Sequence, residues 1–136
     1  MATATQVDLS NDTWVPTQEK VDRAVRTAIE VACPTRVFLF GSWPRGEAKP
    51  DSDLDLAVFV SDERKGEIGD LHSRIRTALK GISMSVDLII ASEGHVAEFA
   101  NSVNSVYYKI VRRGKLVFDR NQADGNLSNA TLPSIP

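Results

Sequence analysis

The chain has 136 residues, a formal net charge of −2 and a single cysteine. Its length allows one compact domain rather than two, and its near-neutral charge without a basic stripe argues against strong, sequence-independent binding of nucleic acid. No run approaches the roughly 18 consecutive apolar residues of a membrane span, and the N-terminus lacks the basic-then-apolar layout of a signal peptide. We therefore expect a cytoplasmic protein without an internal disulfide, in which Cys33 lies among apolar neighbours in the core.

The first half of the chain predicts a helix and two strands. Residues 1–15 are polar and show no periodicity, so we expect a loose lead-in there. Apolar residues then recur at helical spacing until Pro34 ends the pattern. The predicted elements are a helix over 17–32, a strand over 36–40, a short helix over 43–48, a turn over 49–52 and a strand over 53–60.

The second half continues the alternation of helices and strands. A polar loop over 61–66 precedes a helix from Ile68 to about Leu79, which Gly81 closes. The remaining predicted elements are a strand over 84–90, a helix capped by Ser92, helical spacing from Val103 to Val111, and a strand over 116–118. We therefore expect an α/β domain with a mixed sheet over 16–119 and a disordered tail over 120–136.

Two stretches that could form a binding or catalytic site lie at the junctions between two consecutive predicted strands. Gly41 and Ser42 follow the first strand, and Asp53 and Asp55 begin the second. Side chains alternate along a strand with period 2, so the two carboxylates project from the same face. Neighbouring carboxylates repel and raise each other's pKa unless a cation lies between them. An isolated Asp-x-Asp pair is most often a solvated surface, but a turn suited to phosphate beside it favours a binding site.

A third acidic residue, Asp87, lies within the apolar run of the next predicted strand. Buried charges are rare unless they are paired or bound to metal, so we expect Asp87 to join Asp53 and Asp55. Carboxylates with water and phosphate oxygens are ligands that Mg²⁺ prefers. Three acids from two strands can hold the two metal ions that stabilise attacking and leaving oxygens in phosphoryl transfer.

The stretch GSWPRGEAKPDSDLDLAVFV closely resembles the signature of the minimal nucleotidyltransferases, small members of the DNA polymerase β-type nucleotidyltransferase superfamily. That signature reads Gly-Ser-x-Ala-Arg-Gly, a short spacer and Ser-Asp-x-Asp-Leu, and one departure is Pro44 in place of alanine. Proline is accepted in the first turn of a helix, so this departure changes little. The matching residues are Gly41, Ser42, Arg45, Gly46, Ser52, Asp53, Asp55 and Leu56, with Asp87 as the third carboxylate.

The resemblance implies the nucleotidyltransferase fold and transfer of a nucleoside monophosphate, AMP from ATP, to a hydroxyl group. Asp53, Asp55 and Asp87 are then the catalytic, metal-binding residues for two Mg²⁺ ions, with Mn²⁺ as the alternative metal. Gly41, Ser42 and Arg45 are then the nucleotide-binding residues. Because larger relatives carry an additional acceptor-binding domain, the resemblance also implies a partner, namely a helical HEPN toxin for which this chain is the antitoxin.

Two other functions remain open from the sequence. The chain could be a binding module that blocks its partner sterically, or a small-molecule transferase of the antibiotic-modifying type that assembles as a homo-oligomer. A pure binding module gains nothing from uncompensated buried charge, so the three acids favour catalysis.

Several single residues keep two interpretations. Arg45 could bind phosphate or form a salt bridge to Asp53 or Glu47, and Trp43 could stack on a base or pack within the protein. His72 and His95 are expected to be structural.

Overall fold

A computed structural model describes residues 14–122 of the chain. Its four strands form one mixed sheet in the order β3-β2-β1-β4. The strands are β1 (Arg36–Phe40), β2 (Leu54–Val60), β3 (Val86–Ser92) and β4 (Lys115–Asp119). The helices are α1 (Gln18–Ala32), α2 (Ile68–Ala78), α3 (Glu93–Phe99), α4 (Val106–Arg113) and the short α5 (Arg120–Gln122). The predicted α/β fold with a mixed sheet is therefore confirmed.

The sheet has helices on both faces, and each face has its own apolar core. β1 is antiparallel to β2 and to β4, whereas β2 and β3 are parallel. Helices α1 and α2 cover the face that includes Val37, Leu39 and Leu56. Helices α3 and α4 cover the other face, where Phe38 and Phe59 pack together. The second face is the one that bears the carboxylates, because Asp55 and Asp87 share the strand parity of Phe59 and Ile89.

Helix α1 begins and ends close to the predicted residues. The Thr17 hydroxyl caps its N-terminus by accepting a hydrogen bond from the Lys20 N–H at 3.2 Å. The last turn closes where the Cys33 N–H donates to the Ile29 carbonyl at 2.9 Å. Cys33 adopts the left-handed conformation (φ +47°) and is exposed. The expectation that Cys33 lies in the core is therefore wrong, because the residue that ends a helix turns its side chain away from the packed face.

Three predicted elements differ from those observed. The stretch 43–48 forms turns and no helix, since Gly46 has a positive φ of +73° and only two turn hydrogen bonds hold the segment. The expected loop 61–66 is a 3-10 helix over Asp62–Glu67, and a second 3-10 turn, Leu79–Gly81, follows α2. Val103 lies in a turn, since the Ser105 hydroxyl caps α4 at the Tyr107 N–H and the helix begins at Val106.

The other predicted elements are observed with small shifts. The strand expected over 36–40 matches β1, and the third strand begins and ends two residues later than expected. The Ser92 hydroxyl caps α3 as predicted. Most of the expected lead-in and tail lies outside the described residues. Across 14–122, no helix is both long enough and apolar enough to cross a membrane.

Candidate active site

The pairing of β2 with β3 places two of the three acidic residues side by side. Asp55 and Asp87 are direct partners in this parallel ladder, so their side chains leave the sheet on the same face. Asp53 directly precedes β2, outside the ladder, and its negative charge acts on Asp55. The structure therefore pairs Asp55 with Asp87 and leaves Asp53 within electrostatic range of Asp55.

The three carboxylates differ in exposure. Asp53 and Asp87 are exposed, and Asp55 is half-buried. The expectation that Asp87 is a buried charge is therefore wrong, although its position beside Asp55 holds. The physical reason is that β3 is an outer strand of the described sheet and Asp87 lies near its beginning, beyond the part that α3 and α4 cover.

Asp55 is the electrostatic centre of the group. Its pKa rises from 3.8 to about 6, first because burial disfavours the charged form and next because the negative charges of Asp87 and Asp53 lie close by. A side-chain hydrogen bond between Asp55 and Asp87 adds to the increase, whereas the Arg45 guanidinium opposes it. Two carboxylates held this close together are oxygen ligands of the kind that a divalent cation binds.

The turn after β1 brings main chain directly against Asp55. Phe40, the last residue of β1, is the ladder partner of Asp55. Gly41 then adopts φ +77°, and a Cβ at this position would lie 2.0 Å from the Oδ2 atom of Asp55. Only glycine allows this approach. Ser42, half-buried beside it, accepts a hydrogen bond from the Glu47 N–H through its carbonyl at 3.0 Å.

The structure shows a salt bridge for Arg45 and packing within the protein for Trp43. The Nε atom of Arg45 lies 2.9 Å from Oε1 of Glu47, so Arg45 forms a surface salt bridge while it also acts on the charge of Asp55. Trp43 packs against the α1 side of the sheet and lines a cavity of about 360 Å³ together with Val25 and Val117. Packing within the protein is therefore the confirmed interpretation of Trp43.

The histidines occupy structural positions. The His95 ring makes a tilted contact with Phe99 at 4.9 Å and an edge contact with Tyr107 at 5.2 Å, both between ring centroids. His72 lies half-buried on α2. The Ser52 hydroxyl accepts from the Lys49 N–H at 2.8 Å and closes the turn that leads into Asp53. Sequence reasoning missed Arg76, which donates to the Val86 carbonyl at 2.6 Å beside Asp87, and no motif marks that residue.

The carboxylate group fits a divalent cation by the chemistry of its donors. Among residues 14–122, no group of three or more His, Cys, Asp or Glu side chains is arranged so that it could hold a metal ion. Asp55 and Asp87 form an open pair of oxygen donors, and burial of Asp55, followed by the negative charges of Asp87 and Asp53, raises the pKa of Asp55. Mg²⁺ binds through one or two carboxylates and otherwise keeps water and phosphate oxygens, so an open acidic group suits it.

Comparisons with known proteins indicate the family and the fold of the chain. The family model described as "Polymerase beta, Nucleotidyltransferase" matches residues 27–123. A crystal structure from Sulfolobus solfataricus, of a protein assigned by inference as a nucleotidyltransferase, is 20% identical with a TM-score of 0.52, covering 77% of this chain and 86% of that one. A structure of a toxin-antitoxin with AMP-PNP is 21% identical with a TM-score of 0.45, covering 82% of this chain and 84% of that one. No curated protein matches the sequence.

Proposed function

The chain belongs to the polymerase β nucleotidyltransferase family, and from this premise we propose that it transfers AMP from ATP to a hydroxyl group on a partner protein. The observation that carries the proposal is the pairing of Asp55 with Asp87 directly beside the Gly41 turn. This arrangement offers a place for phosphate and a place for a divalent cation on one face of the sheet. The described domain fits the transferase class that the family indicates.

The turn between β1 and β2 supplies the phosphate contacts in this proposal. Gly41 lets the main chain approach a phosphate group without a Cβ, and the Ser42 hydroxyl can donate to a phosphate oxygen. Arg45 is exposed, so its guanidinium can leave Glu47 and pair with phosphate at small cost, because a surface salt bridge contributes about 0–1 kcal/mol.

Asp53, Asp55 and Asp87 would hold the divalent cations, Mg²⁺ in the first place and Mn²⁺ as the alternative. Bound there, the metal ions would neutralise phosphate charge and polarise the α-phosphate toward attack. The chain's own contribution is to hold Asp55 and Asp87 side by side on one face by strand pairing, with Asp53 directly before the ladder.

The proposed reaction forms one bond to phosphorus, breaks another and moves one proton. The acceptor oxygen forms a bond to the α-phosphorus, the bond from that phosphorus to the pyrophosphate oxygen breaks, and the hydroxyl proton passes to a carboxylate. We assign this proton to Asp87, the carboxylate that the family resemblance implies as the general base, which lies exposed on the outer strand beside Asp55. Pyrophosphate leaves with the electron pair of the broken bond.

For the acceptor, we propose a partner protein of the helical HEPN toxin type, with this chain as the antitoxin. The resemblance of the sequence motif to minimal nucleotidyltransferases supports this part of the proposal. The apolar side chains of Phe99, Val103 and Val106 near α3 and α4 also support a protein partner, because they are exposed and Val103 retains 65% of its accessible area. Apolar side chains grouped in this way are typical of interaction surfaces.

The test uses ATP labelled at the α-phosphate, Mg²⁺ and the protein encoded beside this chain. Wild type is compared with a double variant, Asp53→Asn with Asp55→Asn, and with Asp62→Asn as an acidic control on the 3-10 helix. Label on the partner that disappears only in the double variant supports the proposal. Undiminished neutralisation of the partner by the double variant would instead favour the binding-module function, in which the chain blocks its partner without turnover.

A further inference from the structure

The outer edge of β3 is the feature that carries a further inference. β3 pairs with β2 on one side only in the sheet described for residues 14–122. The Leu54 N–H donates to the Ser85 carbonyl at 2.8 Å, and this bond sets which β3 residues face β2. In a parallel ladder alternate residues share a direction, so the N–H and C=O groups of Leu88 and Ile90 point away from β2 and toward solvent.

One outward group of this edge already has a partner, and that partner is a side chain. Nη1 of Arg76 donates to the Val86 carbonyl at 2.6 Å. A guanidinium in this position shows that the carbonyl is directed outward and that the edge accepts a donor from outside the sheet. Arg76 is exposed, so an incoming chain can displace its guanidinium from the carbonyl while the charge stays nearby.

Two cavities of about 310 Å³ each flank the edge, and basic side chains line both. The first lies at the start of β3, with Arg76 and Lys80 in its wall. The second lies at the end of β3, with Lys65 and His95 in its wall. The acidic Asp87 projects between them, on the opposite face from Val86 and Ile90.

Resting on the proposed function, we infer that the acceptor is an extended acidic segment of the partner that pairs with β3 as an added fifth strand. Its main chain bonds to Leu88 and Ile90, which is the mode by which exposed sheet edges bind peptides. Carboxylates opposite Val86 and Ile90 face Arg76, Lys80 and Lys65. The hydroxyl residue opposite Asp87 lies with its Cβ about 5 Å from that of Asp87.

The register of the added strand on β3 determines where acidic residues lie relative to the acceptor residue. The acceptor residue has one acidic residue next to it and a second acidic residue three positions away on the other side, because Val86, Asp87 and Ile90 have these spacings. Moving the hydroxyl by one position turns it to the opposite face of the sheet, away from Asp87. The hydroxyl oxygen bonds to the α-phosphorus and its proton passes to Asp87, as in the reaction proposed above.

The first experiment measures amide hydrogen exchange by NMR, with a short peptide of alternating valine and glutamine that carries one tyrosine and two glutamates at these spacings. In the free protein the amides of Leu88 and Ile90 exchange rapidly, and the peptide slows both by about tenfold or more. The outward amide of Asp119, on the β4 edge, is the matched control and stays unchanged. Slow exchange of Leu88 and Ile90 in the free protein would overturn the inference, because the edge would already be occupied.

The second experiment measures AMP transfer to the same peptide and to three relatives. A serine in place of the tyrosine remains an acceptor, whereas a hydroxyl moved by one position does not. Replacing both glutamates with lysine lowers kcat/KM by about tenfold. A Lys65→Glu, Lys80→Glu protein reverses that preference, whereas Lys109→Glu on α4 does not. Equal transfer to all peptides would overturn the inference.

The two experiments separate this inference from the proposed function. Amide protection without AMP transfer to any acceptor would overturn the transferase proposal and retain the docking edge. AMP transfer to the partner protein without protection of Leu88 and Ile90 would retain the transferase proposal and overturn the docking edge.

Discussion

Gly41 and Asp55 lie closer together than any residue with a Cβ would allow, since a Cβ built on Gly41 would be 2.0 Å from Oδ2 of Asp55. The contact follows from the ladder that pairs Phe40 with Asp55 and from the positive φ of Gly41, +77°. One backbone conformation therefore positions both the proposed phosphate turn and the central carboxylate.

We expect Gly41→Ala to abolish nucleotide transfer and to destabilise the fold. The new methyl group must displace either the turn or the Asp55 carboxylate, and the left-handed conformation adds about 1–2 kcal/mol of backbone strain. Transfer is measured with labelled ATP, and the free energy of unfolding with urea. Gly46→Ala is the matched control, because Gly46 also has a positive φ, +73°, but nothing lies within 4 Å of its added Cβ. Equal loss of transfer in both variants would contradict the proposed role of the contact.

A second prediction concerns the pH dependence of the metal-free protein. The pKa of Asp55 is 3.8 in the unfolded chain and about 6 in the fold. Between pH 4 and pH 6 the folded state therefore binds a proton that the unfolded state has already released. Stability present below pH 4 is therefore lost as pH rises toward 6, and the free energy of unfolding levels off above that. Since Asp55 is only half-buried, solvent screening reduces the loss to roughly 1 kcal/mol.

Thermal unfolding in the presence of a chelator checks this prediction. Asp55→Asn is expected to be more stable than wild type at pH 7 and to lose the slope between pH 4 and 6. Mg²⁺ is expected to stabilise wild type at pH 7 and to have little effect on the variant, because a cation offsets the repulsion among Asp53, Asp55 and Asp87. A wild-type free energy of unfolding that rises steadily between pH 4 and 6, with Asp55→Asn showing the same slope, would count against the shifted pKa.

Apolar periodicity, together with the proline and glycine residues that end elements, predicted the fold where local sequence preference and tertiary packing agree. The apolar run of β1 and the helical spacing of α1 gave boundaries within one residue of those observed. The stretch 43–48 failed because proline suits a helix start, yet the following Gly46 adopts a conformation that no helix contains. Strand alternation also predicted that Asp53 and Asp55 share a face, but β2 begins at Leu54, so the ladder fixes only Asp55.

Exposure was harder to predict than position, because it depends on which strands lie at the edges of the sheet. An acidic residue within an apolar run is expected to be buried, yet Asp87 is exposed because it lies near the beginning of an outer strand, beyond the part of the face that α3 and α4 cover. The hydrogen bond between Arg76 and the Val86 carbonyl could not be predicted either. It joins residues ten apart in sequence and depends on how α2 lies against β3.

The Arg45–Glu47 pair gives a prediction that separates stability from nucleotide binding. Both side chains are largely exposed, at 55% and 64%, so Glu47→Gln is expected to change the free energy of unfolding by less than about 0.5 kcal/mol. Arg45→Ala is expected to leave stability similarly unchanged but to weaken the binding of ATP severalfold, because it removes the guanidinium proposed to pair with phosphate. Calorimetric titration with a non-transferable ATP analogue measures the affinity. An unchanged affinity in Arg45→Ala would make the salt bridge its only role.

Lys20 gives the last prediction, because it is a charged residue with only 2% of its area exposed. Its Nζ donates to the Val15 carbonyl at 2.9 Å and to the Ser83 carbonyl at 2.7 Å, so it ties the segment before α1 to the loop that leads into β3. Lys20→Met retains the apolar stem but removes charge-assisted bonds, each worth about 1.5–3 kcal/mol. We expect a loss of about 3 kcal/mol in urea unfolding.

The Lys80→Met variant is the matched control for Lys20→Met, because Lys80 is exposed on the second 3-10 turn, and its stability should stay within about 0.5 kcal/mol of wild type. The loop that Lys20 holds leads directly into β3, so Lys20→Met should also speed amide exchange at the start of that strand before the whole domain unfolds. If exchange there stays as slow as in wild type while global stability falls, the two carbonyl bonds support the core alone and do not position the strand that bears Asp87.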